Sequence, residues 1–348
     1  MGLQKNTHIS GDQFSQLALV FYVTYLAFEF PTGYLMQRLP TAKYLGFNVI
    51  CWGIMVACTA AAKNWASLVS LRVLLGCFEA AVAPALILIT TMWYKTTEQP
   101  RRIGLWYLGT GIGKMVGALT SFGFQHYTGT KFHSWQLMFL VYGILTVVAG
   151  VLVIFIVPDN PMTARLTDTE KKWAIERLRD SKTGVENKHF KFYQAKECFC
   201  DPQAWLLSLG VISMNIPNGF VSTYQATVIK SFGFTSEVTS LMSIPSGAIE
   251  CTGIIVGGWM AGKYNIRGPF ILTFLALGFL GSCLLAFLPA DGYVAGKMVG
   301  NYLAGLIGPG LPLMYSYSAA NYAGHTKKVT MNAVVLISFC KFAMKTFI

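Results

Sequence analysis

Apolar residues along this chain come in runs too long for the core of a soluble domain. Residues 44–62, 134–157, 205–228, 269–289 and 298–320 contain no Asp, Glu, Lys or Arg. A helix needs about 20 mostly apolar residues to cross the hydrocarbon core of a bilayer. With a few polar residues allowed in each run, the pattern predicts ten spanning helices. These are 14–36, 44–62, 66–93, 102–124, 134–157, 205–228, 239–261, 269–289, 295–320 and 328–348. So many spans in series describe an all-α, multi-pass membrane protein.

One long polar stretch follows the fifth span. Pro158-Asp159-Asn160-Pro161 ends the preceding helix, because proline lacks an amide donor and restrains the residue before it. Thr167 stands three residues before Glu170, the spacing of a capping box that opens a short helix. The expected organisation is a helix bundle over 1–157, a linker over 158–204 and a second bundle over 205–348. A weak internal repeat agrees with two such halves. Gly33-Tyr-Leu-Met-Gln-Arg38, with Lys43 beyond, follows the first span, and Gly258-Trp-Met-Ala-Gly-Lys263, with Arg267 beyond, follows the seventh.

Only 12% of residues are charged, against about 25% in ordinary soluble domains. The net charge of +12 is unevenly placed. One set of loops, which includes the 158–204 linker, holds eighteen Lys and Arg; the opposite set holds five. By the positive-inside rule the first set is cytosolic, so the charge reports topology and no nucleic-acid partner is needed to explain it. This orientation leaves the N-terminus outside, so a further helix is expected before Met1 and another at the end. The eight cysteines are scattered, with no zinc-ligand spacing, and read as reduced structural thiols.

Ionisable residues inside spans are costly and point to function. They are Glu29, Arg72, Glu79, Lys114 and Glu250. Arg72 and Glu79 lie seven residues apart on one helix, hence on nearly the same face and about 10 Å apart along the axis. That spacing suits an anion held by the guanidinium and a proton carried by the carboxylate. A structural charge network is the alternative. Lys114, in a glycine-rich span, is read either as a ligand for a substrate carboxylate or as the counter-charge of Glu79. Glu29, before Pro31, is placed in gating or structure, and Glu250 stays open between the same roles. Asn215, Pro217, Asn218 and Gly219 interrupt the sixth span, and Gly308, Pro309, Gly310 and Pro312 the ninth. The Asn215 and Asn218 amides are candidates for recognising a polar solute, plain helix kinks being the other account, and Tyr25 is a candidate for the cavity wall.

The residues also carry a resemblance. Gly11-Asp-Gln-Phe-Ser, Phe28-Glu-Phe-Pro-Thr-Gly33, Arg72-Val-Leu-Leu-Gly-Cys-Phe-Glu-Ala80 with Pro84, and Met92-Trp-Tyr-Lys95 are similar to the anion:cation symporter family of the major facilitator superfamily. Val157-Pro-Asp-Asn-Pro-Met162, Trp173-Ala-Ile-Glu-Arg-Leu-Arg179 and Asn321-Tyr-Ala-Gly-His-Thr-Lys-Lys-Val-Thr330 resemble its fungal allantoate permease group. The resemblance implies a major facilitator fold of two six-helix bundles, here lacking the first and last helices. It implies alternating access and uptake of a small organic anion with protons, with Arg72 serving the anion and Glu79 the proton. Arg38 and Lys43 match the family's cytosolic gate turn, where Gln37 stands in place of the usual acidic residue; Lys263 and Arg267 occupy the repeated turn. Residues 341–348 depart from the Gly-Asn-rich helix that the pattern calls for.

The leading expectation is a proton-coupled importer of a small carboxylate, such as the ureide allantoate, monomeric, in the plasma membrane, with the proton as coupling ion and no other cofactor. A non-transporting nutrient receptor or inactive relative is the second reading. A membrane enzyme is the third, and no nucleophile–base pair, metal set or nucleotide motif supports it.

Overall fold

The computed structural model describes residues 3–7, 9–95, 97–127, 129, 132–179, 191–289, 293–322, 326–327, 330–331, 333–335 and 338. Most of the expected last span, and Lys131, Lys182, Lys188 and Lys328 of the loops, lie outside them. Most of the described residues are helical, with no strand among them.

A single-turn helix α1 (Leu3–Asn6) precedes α2 (Gly11–Arg38). Ser10 and Gln13 form a capping box at the start of α2: the Gln13 amide donates to Ser10 Oγ at 3.2 Å, and the Ser10 amide to Gln13 Oε1 at 3.0 Å. Then come α3 (Thr41–Thr59), α4 (Trp65–Glu79) and α5 (Val82–Trp93). The third expected span is therefore two helices with a turn at Ala80–Ala81. Pro84 explains it: with no N–H, it cannot bond the Ala80 carbonyl, and its ring crowds that group. After α6 (Gln99–Gln125) and α7 (Ser134–Ile156), the linker holds α8 (Asp168–Arg179) and α9 (Phe192–Cys200). The expected cap at α8 is present, with the Glu170 amide donating to Thr167 Oγ1 and the Thr167 amide to Glu170 Oε2. The Thr167 amide and the Thr167 hydroxyl, both donating to Glu170 Oε2 at 2.8 Å, hold the exposed Glu170 carboxyl below its usual range.

The second half runs through α10 (Pro202–Ser231), α11 (Ser236–Met242), α12 (Ile244–Tyr264), α13 (Gly268–Phe287), α14 (Val294–Ala304) and α15 (Gly310–Asn321). The expected interruption in the ninth span is there: α14 ends in a 3-10 turn at Gly305–Ile307 before α15 starts. The one expected at 215–219 is not, because α10 is helical throughout. Side chains here bond back onto the helix, Ser213 Oγ to the Leu209 carbonyl and Asn215 Nδ2 to that of Val211. Pro245 breaks the seventh span at Ser243, and the carbonyl of Met242 accepts a bond from Tyr302 Oη at 3.0 Å.

Among the described residues, six helical stretches are long and apolar enough to cross a membrane: Gly11–Arg38, Thr41–Thr59, Trp65–Trp93, Ser134–Ile156, Ser236–Tyr264 and Gly268–Phe287. The others carry more polar residues, such as Lys114 in α6 and two asparagines in α10.

Contacts group the helices into two compact units. The first is Met1–Thr96 with Thr128–Ser208 and Ser318–Ile348; the second is Thr97–Tyr127 with Leu209–Tyr317. In the first, α3 and α7 are the most extensively packed pair. Their backbones meet at glycines: a Cβ on Gly143 would lie 2.5 Å from the Ala57 nitrogen, and one on Gly53 2.7 Å from the Val147 nitrogen. Small residues permit such approach in membranes, where no hydrophobic force drives helices together. Pro40 gives α3 no side-chain cap. Asp159 does so from the linker, its Oδ1 accepting from the amides of Ala42 at 2.9 Å and Lys43 at 3.3 Å. In the second unit, α6 and α12 are the most extensively packed pair, with Gly111 against the Gly247 carbonyl and Cys251.

Candidate functional site

The ionisable residues within spans fall into three places. In the first unit, Arg72 and Glu79 lie half-buried on one face of α4, as their spacing requires. The Arg72 guanidinium is within electrostatic reach of Glu79 and of the Tyr22 phenol on α2. Among the described residues no direct ion pair joins Arg72 to Glu79. Gly76, between them, presses α4 onto α2: a Cβ there would lie 2.6 Å from the Phe21 carbonyl oxygen and 3.0 Å from the Tyr25 nitrogen. Tyr25 is buried and packs with Ala80, Phe21, Tyr22 and Leu26. The expected anion and proton residues thus lie on a helix packed against the one that carries Tyr25. Glu79 is the last residue of α4, at the turn made by the break.

Glu29, also on α2, is 1% exposed, and neither carboxylate oxygen has a hydrogen-bond partner among the described residues. A group so placed carries the full cost of lost solvation unless its surroundings or protonation change.

In the second unit Lys114 on α6 meets Glu250 on α12, Nζ to Oε2 at 2.6 Å. The other carboxylate oxygen accepts from Thr110 Oγ1 at 2.8 Å. The Glu250 side chain is 4% exposed and that of Lys114 29%. The expected choice for Lys114, substrate or Glu79, did not include this partner, which is 136 residues away. Removing one member of a buried pair usually costs about 3–5 kcal/mol, because the other is left uncompensated.

Asn215 and Asn218 bond to their own helix: Asn215 Nδ2 donates to the Val211 carbonyl at 2.8 Å, and Asn218 Nδ2 to Asn215 Oδ1 at 3.3 Å. Asn215 is buried. A solute using these amides would have to displace internal bonds.

The repeated turns share more than the sequence pattern showed. The Arg38 guanidinium lies over the Tyr34 ring, 4.6 Å from its centroid, and Lys263 Nζ over the Trp259 ring at 4.9 Å. Each basic group stacks on the aromatic residue one turn back, which follows the repeated glycine. Gln37 donates to Thr326 Oγ1 at 3.4 Å, and Arg267 Nε to Ser316 Oγ at 3.1 Å. Lys43 is exposed and lines a cleft of about 690 Å³ with Trp93, Asp159 and Arg165. Among the described residues no group of His, Cys, Asp and Glu is arranged to hold a metal.

The chain is similar to known proteins in sequence and in fold. The profile of the Major Facilitator Superfamily matches residues 1–343. An uncharacterized transporter of Schizosaccharomyces pombe is 36% identical over 343 residues, covering 98% of this chain and 66% of that protein. The Saccharomyces cerevisiae protein named thiamine pathway transporter is 36% identical, over 95% of this chain and 64% of its own length. The allantoate permease of the same yeast is 32% identical, over 97% and 65%. The chain therefore spans about two thirds of the length of these relatives. In fold it is similar to the proton:xylose symporter XylE, with a TM-score of 0.78 at 14% identity, over 99% of this chain and 82% of that one.

Proposed function

The chain belongs to the major facilitator superfamily, and on that premise we propose that it carries a small organic anion across a membrane together with protons, by alternating access. It is an integral membrane protein of that fold. The observation that carries the proposal is the placement of a cation and a carboxylate together at two points within spanning helices, Arg72 with Glu79 and Lys114 with Glu250. A positive group in a low-dielectric site recognises a carboxylate strongly, and a neighbouring acid supplies a proton-binding partner. Arg72 is assigned to the substrate and Glu79 to the proton. A ureide such as allantoate is the favoured class, supported by the similarity to a permease of that name. The plasma membrane, a monomeric state and the proton as coupling ion with no further cofactor belong to the same proposal.

A cationic substrate is the second reading. It is favoured by Glu29, a buried carboxylate with no partner among the described residues, and by the greater identity to the thiamine pathway transporter.

The test is uptake by the full-length protein in proteoliposomes, with allantoate, ureidosuccinate, nicotinate and thiamine as labelled probes and an imposed pH gradient. Gradient-driven accumulation of one of the anions is expected. Arg72→Ala should abolish it, and Glu79→Gln should leave only downhill movement. Full accumulation by either variant removes that residue from the mechanism. Accumulation of thiamine alone moves the assignment to the second reading.

A further inference from the structure

We propose that the cleft at the cytosolic ends of α3, α5 and α7 binds one anionic phospholipid with the headgroup pattern of phosphatidylserine, whatever solute the protein transports. The cleft has a volume of about 690 Å³, and small-ligand sites commonly have about 300–1,000 Å³. Every residue lining it belongs to the first unit. Lys43 stands in the first turn of α3, Trp93 is the last residue of α5, and Phe155 and Ile156 close α7. Asp159 and Arg165 come from the start of the linker.

Two observations put the mouth of the cleft at the bilayer surface. Helix α7 is long and apolar enough to cross the membrane, and its final residues Phe155 and Ile156 are 77% and 69% exposed. Apolar side chains so bare at the end of a spanning helix are stabilised by lipid and not by water. Trp93 lines the same cleft, and tryptophan collects at the level of the headgroups. The excess of Lys and Arg in the loops on this side makes it the cytosolic face, whose leaflet carries anionic lipid. An acyl chain can thus run along Phe155 and Ile156 while its headgroup enters the cleft.

The charged lining selects the headgroup. Lys43 and Arg165 are exposed, and among the described residues neither makes an ion pair. Asp159 lies in the same lining; its Oδ1 accepts from the amides of Ala42 and Lys43, and a carboxylate has capacity for about four such bonds. The cleft therefore offers two cations and one anion. Phosphatidylserine offers the converse, a phosphate and a carboxylate for Arg165 and Lys43 and an ammonium for Asp159. Phosphatidylglycerol lacks the ammonium, and phosphatidylethanolamine lacks the second anion. The site is also preformed. The turn after Asp159 is closed by the Thr163 amide on Asn160 Oδ1 at 2.9 Å and the Asn160 amide on Thr163 Oγ1 at 3.2 Å. Trp93 and Val153 pack on the buried cluster that includes Leu45, Leu88 and Met92, which ties the three helix ends together. Little affinity is then lost to ordering.

The experiment places the full-length protein in phosphatidylcholine nanodiscs with increasing fractions of brominated phosphatidylserine, phosphatidylglycerol or phosphatidylethanolamine. Bromine quenches nearby tryptophan, and the Trp93 signal is the emission lost on Trp93→Phe in the same background. Phosphatidylserine should quench Trp93 at a lower fraction than either other lipid. Lys43→Gln and Arg165→Gln, both at exposed positions, should each raise the fraction needed about fivefold. Asp159→Asn keeps an acceptor for the α3 amides, and it should remove the preference for phosphatidylserine over phosphatidylglycerol. Glycerophosphoserine, which has the headgroup without the chains, should fail to relieve the quenching. Equal quenching by all three lipids, or quenching unchanged by Arg165→Gln, overturns the site. Equal quenching by phosphatidylserine and phosphatidylglycerol in the native chain overturns the headgroup assignment. Relief by glycerophosphoserine identifies a soluble ligand and overturns the lipid.

Discussion

Replacing Gly76 with alanine and, separately, Gly113 with alanine sets two identical chemical changes against opposite surroundings. Both glycines lie in helices, where alanine is favoured by roughly 0.5–1 kcal/mol through reduced backbone freedom in the unfolded chain. At Gly113 an added Cβ meets nothing within 4 Å, so that preference should appear undiminished as a gain. At Gly76 the Cβ would lie 2.6 Å from the Phe21 carbonyl oxygen, 3.0 Å from the Tyr25 nitrogen and 3.1 Å from Thr24 Cβ. Comfortable carbon contacts begin near 3.5 Å, so α4 must retreat from α2 by about 1 Å. Overpacking of this kind costs about 1–3 kcal/mol, leaving a net loss centred on roughly 1 kcal/mol after the helical preference. Unfolding free energies of both variants and the native chain in mixed detergent micelles supply the comparison. Uptake is a second readout, since Gly76 stands between Arg72 and Glu79 and its displacement moves both. If Gly76→Ala proves as stable as the native chain, or more so, the close packing of α4 on α2 is wrong, and with it the contact between α4 and the Tyr25 backbone.

Two further predictions concern the linker. Asp159→Ala should destabilise the first unit by about 0.5–2 kcal/mol, the usual range for a lost helix cap, while Asp159→Asn, which keeps an acceptor oxygen, should lose less; unfolding in the same micelles checks both. The Glu170 carboxyl is held low by the Thr167 amide and hydroxyl, so its contribution to helix 168–179 is present above the ordinary carboxylate range and is lost as pH falls through the lowered value. Amide protection of 168–179 should therefore decline on acidification below about pH 4, and Thr167→Ala should weaken that dependence; hydrogen exchange corrected for intrinsic rates measures it.

What the sequence made legible was whatever a local spacing determines. The apolar runs marked the helices, Pro158 and Pro161 marked the end of α7, and Thr167 with Glu170 marked the start of α8. The seven-residue separation put Arg72 and Glu79 on one face. Proline was read with mixed success, for a physical reason. Pro84 splits its span and Pro217 does not: a proline removes one amide and crowds the carbonyl four residues back, and whether the helix runs on past that gap is set by its surroundings, which spacing does not encode. Helix α9 was missed because its buried positions, Ala195 and Cys198, are too few to mark a face in a polar linker. The partner of Lys114 was out of reach for another reason. Three acidic residues in spans were available to it, and only the meeting of α6 and α12 at Gly111 and Gly247 selects Glu250. The grouping of α6 with residues 209–317 is likewise a fact of contacts, whereas the expected halves were defined by order along the chain.

The cap that Asp159 places on α3 also bears on how the protein is made. Helix α3 emerges early, yet the acceptor for its first amides lies 117 residues further on. At synthesis rates of about 5–20 residues per second, this leaves roughly 6 to 23 seconds in which α3 has neither its cap nor its glycine-lined partner α7. During that interval the exposed amides must be served by water or lipid headgroups at the membrane surface, or by whatever insertion machinery holds the nascent helices. A substitution at position 159 would accordingly be felt first as a defect of biogenesis. It would lower the amount of protein reaching the membrane before any change in the properties of the molecules that do.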